Sequence, residues 1–207
     1  MKKIISVILL SAMAFNLPAE GIWKSIKDGA SSVGDSVSKG VKSVTEGTSP
    51  DEARAEINNI EKDTMNLLFK QAPAAKAQYD EAYGYAVFDT RKFAFMITTE
   101  YGAGVAVNRQ SSKRTYMKMA SGGVNVGLGG EFYQIVFLFR DKKVFDAFVE
   151  DGYQAGSEAT ATAGSEAERG EVNYVNGMAT YKLNPKGLKL TLDITGTKFW
   201  QDDKLNN

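Results

Sequence analysis

The 207-residue sequence contains no cysteine and no histidine. The first absence excludes disulfides, thiolate metal sites and a lipid-modified N-terminal cysteine. The second removes Ser-His-Asp and Cys-His nucleophile systems, most zinc sites and the usual general base near neutral pH. No enzyme is expected, and no catalytic residue, cofactor or metal ligand is assigned. Charge of one sign is also lacking, with 25 basic against 25 acidic residues. Removal of residues 1–19 would take away two lysines and no acid, leaving 23 against 25 and a net charge of −2. That balance argues against bulk nucleic-acid binding. No long apolar run follows the N-terminal one, so the mature chain is expected to be soluble or peripheral.

What is present begins with a leader pattern. Lys2 and Lys3 precede an apolar stretch, Ile4 to Leu10, extended by Ala12 to Phe15. Ala12-Met13-Ala14 and Leu17-Pro18-Ala19 then offer small-residue cleavage sites. Residues 1–19 read as a secretory signal cut after Ala19, with Ala14 as the second choice. The expected address is periplasmic or otherwise exported, with membrane association left open.

Residues 20–48 form a Ser/Gly/Lys-rich segment. Ile22, Trp23, Ile26, Ala30, Val33, Val37, Val41 and Val44 fall in one stripe about 100° wide on a helix. Their spacing repeats every eleven residues, nearly in phase with a straight helix. Lys24, Lys27, Lys39 and Lys42 lie on the remaining surface. Gly29, Gly34, Gly40 and several Ser and Val make this a poor helix in water. Three readings stand: a linker, a helix packed on the domain, and a helix that lies on a membrane surface.

The rest, 49–207, reads as one domain. Ser49-Pro50-Asp51-Glu52 has the spacing of a capping box with proline at the first helical position. The helix it starts shows Ile57, Ile60, Leu67 and Leu68, with Thr64 between, as its apolar side, and it ends before Pro73. A short helix follows from Ala74 to Ala82. Strands are expected at Tyr85–Phe88, Phe93–Val107, Thr115–Met119, Gln134–Phe139, Tyr153–Ala163, Val172–Leu183 and Leu188–Ile194, with glycine-rich Gly122–Gly130 also alternating. The period of two in Phe93–Val107, held for fifteen residues, predicts one long strand that bends at Gly102 and Gly104. Glycine there either permits tight core packing or lets a backbone or ligand approach. Asp141 caps a short helix running to Val149. The expected fold is α+β: N-terminal helices on a strongly curved, partly or fully closed antiparallel sheet. An outer-membrane barrel is disfavoured by the capped helices and by the terminal Leu205-Asn206-Asn207.

Several stretches taken in order, GYAVFD at 84–89, YGAGVAV at 101–107, TYMKMASGGVNVGLGG at 115–130, QIVFLF at 134–139 and GTKFWQDDKLN at 196–206, resemble bacterial SYLF domains. The resemblance covers roughly residues 50–206. It implies an interaction domain with affinity for acidic phospholipid rather than a catalyst. Actin binding, known in some fungal relatives, is not carried to an exported bacterial protein.

Candidate lipid contacts are therefore Trp23, Lys24, Lys27, Lys39 and Lys42 in the segment, and Arg109, Lys113, Arg114 and Lys118 around one turn. Arginine binds phosphate in bidentate fashion, and basic clusters favour anionic surfaces. The alternative for the turn is a solvated hairpin end. GGVNVGLGG lacks the lysine and following helix of a phosphate loop. Asp202 and Asp203 read as a surface tail rather than a metal pair. Phe199, Trp200, Tyr116 and Tyr133 are expected to close the core. The function expected is an exported lipid-binding module at a membrane surface of the cell envelope. The alternative is a structural or protein-interaction domain there, its protein partner unknown.

Overall fold

A computed structural model of the chain describes residues 49–95, 97–123, 128–155, 160–162, 172–184, 187–189, 191–193 and 196–207. The predicted signal and the stripe of residues 22–44, with Trp23, Lys24, Lys27, Lys39 and Lys42, lie outside the described residues, as does the charged loop 164–170. Among the described residues no helix is long and apolar enough to cross a membrane.

The chain enters through α1 (Pro50–Gln71). Its start is a reciprocal cap: Glu52 N–H donates to Ser49 Oγ at 3.3 Å and Ser49 N–H donates to Glu52 at 2.8 Å. The Ser49 N–H bond most of all, and then one that the Ser49 hydroxyl donates to the same carboxyl at 2.8 Å, hold Glu52 below its ordinary range. Pro73 cannot continue α1, and it becomes the first residue of α2 (Pro73–Glu81).

Four long strands follow: β1 (Gly84–Phe95), β2 (Ile97–Asn108), β3 (Arg114–Gly123) and β4 (Leu128–Phe139). Next come α3 (Lys142–Glu150), capped by Asp141 through Val144 N–H at 3.0 Å, then β5 (Tyr153–Gln154) and β6 (Thr160–Thr162). The chain closes with β7 (Met178–Asn184), β8 (Gly187–Lys189), β9 (Thr191–Asp193), β10 (Lys198–Gln201) and the one-turn α4 (Asp203–Asn206). Eight strands form one strongly curled antiparallel sheet in the order β5-β10-β3-β2-β1-β4-β7-β8, and β6 pairs with β9. The architecture is α+β, with helices on a curled half-barrel, as the sequence predicts.

One expectation is overturned. Phe93–Val107 is not a single bent strand. Phe95 pairs with Ile97, so β1 and β2 are the two arms of a hairpin whose register runs back to Gly84 and Asn108. The predicted kink at Gly102 and Gly104 is instead a place of close packing within β2. A Cβ on Gly102 would lie 2.3 Å from the Asp89 carbonyl oxygen, and one on Gly104 would lie 2.2 Å from that of Val87 and 2.6 Å from the Phe88 ring. The close neighbours are the protein's own β1 backbone and an aromatic side chain.

The sheet buries both faces. On one, α1 and α2 pack over Val87, Val105, Val136, Leu138 and Tyr181, with Leu68 fully enclosed. On the other, α3 sets Phe145 and Phe148 against Phe88, Phe137, Phe139 and Phe199. Most of these rings meet edge-on or tilted, at centroid separations such as 4.9 Å for Phe88–Phe199 and 5.3 Å for Phe137–Phe148, while Phe137 and Phe139 stack at 6.2 Å. Gln134–Phe139 is a central strand segment as expected, because β4 is flanked by β1 and β7.

Candidate functional site

The turn between β2 and β3 is built by Asn108. Its side-chain oxygen accepts from Gln110 N–H at 2.9 Å and Ser111 N–H at 3.0 Å, and Ser112 takes φ 59°. This brings Arg109, Lys113 and Arg114 to one end of a hairpin, while Lys118 stands opposite Ala103 further along β3. The fold then gives three of the four an internal partner.

Arg109 lies at the C-terminus of α2. It donates to the carbonyls of Asp80 and Ala82, both at 2.9 Å, and its guanidinium rests 4.3 Å from the Tyr79 ring centre. A cation satisfying the last carbonyls of a helix is stabilising there on electrostatic grounds alone. Arg114 donates to Glu61 of α1 at 2.7 Å. The other Glu61 oxygen accepts from the Tyr85 hydroxyl at 2.7 Å, which places a buried carboxylate between α1 and the sheet with both oxygens satisfied. Burial, and then the hydrogen bond to Glu61, pushes the Tyr85 hydroxyl well above its usual range, so it stays a neutral donor. Lys118 pairs with Asp202 at 2.8 Å. Lys113 is exposed. Lipid contact by Arg109, Arg114 or Lys118 would therefore compete with a bond each already makes.

Asp202 is a second correction. It is buried, not part of a surface tail: it accepts from Lys204 N–H at 3.0 Å, capping α4, and holds Lys118. Asn206 extends the attachment, accepting from Tyr116 N–H and donating to the Tyr116 carbonyl, both at 2.8 Å. Phe199, Tyr116 and Tyr133 are buried as expected. Among the described residues no group of three acidic side chains could hold a metal ion.

The Glu61 bridge makes a direct prediction. Arg114→Gln leaves a buried carboxylate with one neutral donor, and should cost about 2 kcal/mol, below the figure for a fully buried pair because Arg114 is 32% exposed. Adding Glu61→Gln should recover part of the loss. A denaturant-unfolding cycle in which the two changes simply add would remove the bridge from the account of how α1 docks.

Two features were not anticipated. The first is a polar cluster on the α3 side of the sheet. Tyr133 donates to buried Glu100 at 2.5 Å, and Lys182 Nζ sits 3.7 Å from the Tyr133 ring centre and 3.4 Å from Glu131. Burial and the Glu100 charge push the Tyr133 hydroxyl far up. The sequence signal was Glu100 standing at an inward position of β2 among small residues. The second is a cleft of about 60 Å³ on the α1 side, where Ile57 and Ile60 overhang Val87, Ala103 and Tyr101. Glu56, Asp89 and Arg91 set its charges. Beyond it the same sheet face carries Phe132, 54% exposed, with the Arg91 guanidinium 5.8 Å from its ring centre. Ile57 and Ile60 were legible as an apolar side; that α1 leaves them half-exposed was not.

No family model matches the chain. It is similar to the beta cell expansion factor A of Aeromonas veronii, with 50% identity over 154 residues, which is 74% of this chain. The chain spans 59% of that protein's length.

Proposed function

We propose that this chain is an exported lipid-binding module that associates with acidic phospholipid at a membrane surface of the cell envelope. The observation that carries the reading is the stripe of residues 22–44, apolar on one side and lysine-bearing on the other, joined directly to a folded α+β domain. The resemblance of residues 50–206 to SYLF domains supports it. The four lysines favour anionic lipid modestly, since each basic charge near such a surface contributes about 1 kcal/mol and Asp28 and Asp35 offset part of it. Trp23 is the strongest single anchor, because indole suits the interface. In the hairpin, exposed Lys113 is the cation best placed to reach a headgroup, with Arg109, Arg114 and Lys118 contributing only if their internal bonds open.

A synthetic 20–46 peptide should show little helix by circular dichroism in buffer and a strong rise with anionic vesicles, with Trp23 fluorescence shifting to the blue. Val37→Asp, in mid-stripe, should abolish both changes, and Ser38→Asp, on the other side, should weaken them far less. A peptide indifferent to vesicles, or equal effects of the two substitutions, would show that the stripe is not a membrane face. The second reading, a protein-interaction domain of the envelope, is favoured by exposed Phe132 beside the α1 cleft. A protein partner copurifying without phospholipid would support it.

A further inference from the structure

We propose that the cleft between α1 and the sheet is a binding site for a free α-amino acid with a branched aliphatic side chain. The inference rests on neither the membrane reading nor the protein-interaction reading above, and its failure would leave both untouched.

Two cross-strand rows build the site. In one, Ala103 of β2, Asp89 of β1 and Gln134 of β4 stand side by side; in the next, Tyr101, Arg91 and Phe132 do. Asp89 and Arg91 are two residues apart on one strand, so they share a face at a Cα spacing of roughly 7 Å. Opposite charges at that spacing are close enough to pair. Here β4 holds them apart. Gln134 Nε2 donates to Asp89 Oδ1 at 2.8 Å, and the Arg91 guanidinium lies over the Phe132 ring, 5.8 Å from its centre. Among the described residues neither charge has an ion-pair partner. The second carboxylate on the rim, Glu56 of α1, has none either. Asp89 and Arg91 are both half-buried, and a charge withdrawn from water without a counter-charge is costly.

Between these charges the lining is aliphatic. Ile57 and Ile60 overhang from α1, and Val87 and Ala103 form the floor. A space of about 60 Å³ matches one branched aliphatic side chain and little more. The ligand is thereby defined in three respects. Asp89 and Glu56 call for an ammonium group. Arg91 calls for a carboxylate, which a guanidinium binds in bidentate fashion. The cleft calls for an aliphatic branch between the two. An amino acid such as leucine carries all three on one carbon atom. The interior of a peptide carries neither backbone charge, and an anionic lipid headgroup would bring its phosphate against two carboxylates.

The first measurement needs no variant. L-Leucine titrated into the full mature chain by isothermal titration calorimetry should bind saturably, with Kd on the order of a millimolar or tighter for so small a ligand. Glycine lacks the side chain, leucinamide the carboxylate and N-acetyl-leucine the ammonium, and each should bind at least about tenfold more weakly. Arg91→Gln should weaken leucine about tenfold and leave leucinamide unchanged, since the amide has no carboxylate to lose. Asp89→Asn should weaken leucine and leave N-acetyl-leucine unchanged. Circular dichroism checks that both variants fold; should either fail, the four ligands on the unaltered chain decide alone. No saturation up to about 10 mM leucine overturns the site, as does equal binding of leucine and its two capped forms. Glycine binding as well as leucine overturns the cleft as a side-chain pocket. Leucine binding that survives both substitutions lies elsewhere, and overturns the proposal as well.

Discussion

Phe137→Ala should destabilise the folded chain by about 3–5 kcal/mol, the range for emptying a fully enclosed aromatic position. Phe137 has no exposed surface. Its ring stands at 6.1 Å from Phe88, 5.3 Å from Phe148 and 5.2 Å from Phe199, so one substitution removes ring contacts to a neighbouring strand, a helix and the penultimate element together. Rings cannot relax into the void as aliphatic chains do, because each is fixed by several others. Phe132→Ala is the comparison: on the same strand but 54% exposed, it should change stability by no more than about 0.5 kcal/mol. The two midpoints in a denaturant titration decide the matter. Near-equal shifts would mean that the α3 side is not a consolidated core.

Gly104→Ala should cost about 3–4 kcal/mol, despite adding one methyl group, because the new Cβ meets something that cannot move aside. The Val87 carbonyl oxygen would be 2.2 Å away and the Phe88 ring 2.6 Å. The first belongs to the backbone of the paired strand, whose register with β2 is held along twelve residues. Overpacking against backbone forces the strands apart, at a cost above the usual 1–3 kcal/mol for a tight core. Thermal unfolding should fall by roughly 10 °C for a domain of this size. Ala103→Ser, one residue away and facing the α1 cleft, should shift it little. A Gly104→Ala midpoint within 2 °C of the parent would mean that the β1–β2 pair yields easily, and that glycine at 104 is not required by packing.

The elements that the sequence determined by itself are those with short-range causes. Ser49 and Glu52 are three residues apart, as are Asp141 and the Val144 N–H, and each cap forms wherever its helix starts. Pro73 ends one helix and opens the next by its own ring. The Asn108 turn is set by its side chain reaching two and three residues along. The α+β class follows from two helical segments ahead of a series of alternating ones, and the absence of histidine and cysteine constrains the chemistry before any fold exists.

The tertiary structure alone decided what depends on distant partners. The reversal between Phe95 and Ile97 is invisible to periodicity for a geometric reason. Paired residues in an antiparallel hairpin point to the same face, and Phe95 opposite Ile97 keeps the odd positions on one face through the turn. The alternation therefore runs on unbroken, and no glycine, proline or asparagine marks the reversal. The basic cluster shows the same limit. Arg109, Arg114 and Lys118 are close in sequence, but the last carbonyls of α2, the Glu61 carboxylate and the Asp202 carboxylate reach them from other elements and hold them. Local spacing records which side chains can gather at a turn. Only the folded chain decides which of them still face solvent, because the cost of burying a carboxylate such as Glu61 or Asp202 is met by whichever cation the topology brings within hydrogen-bonding reach.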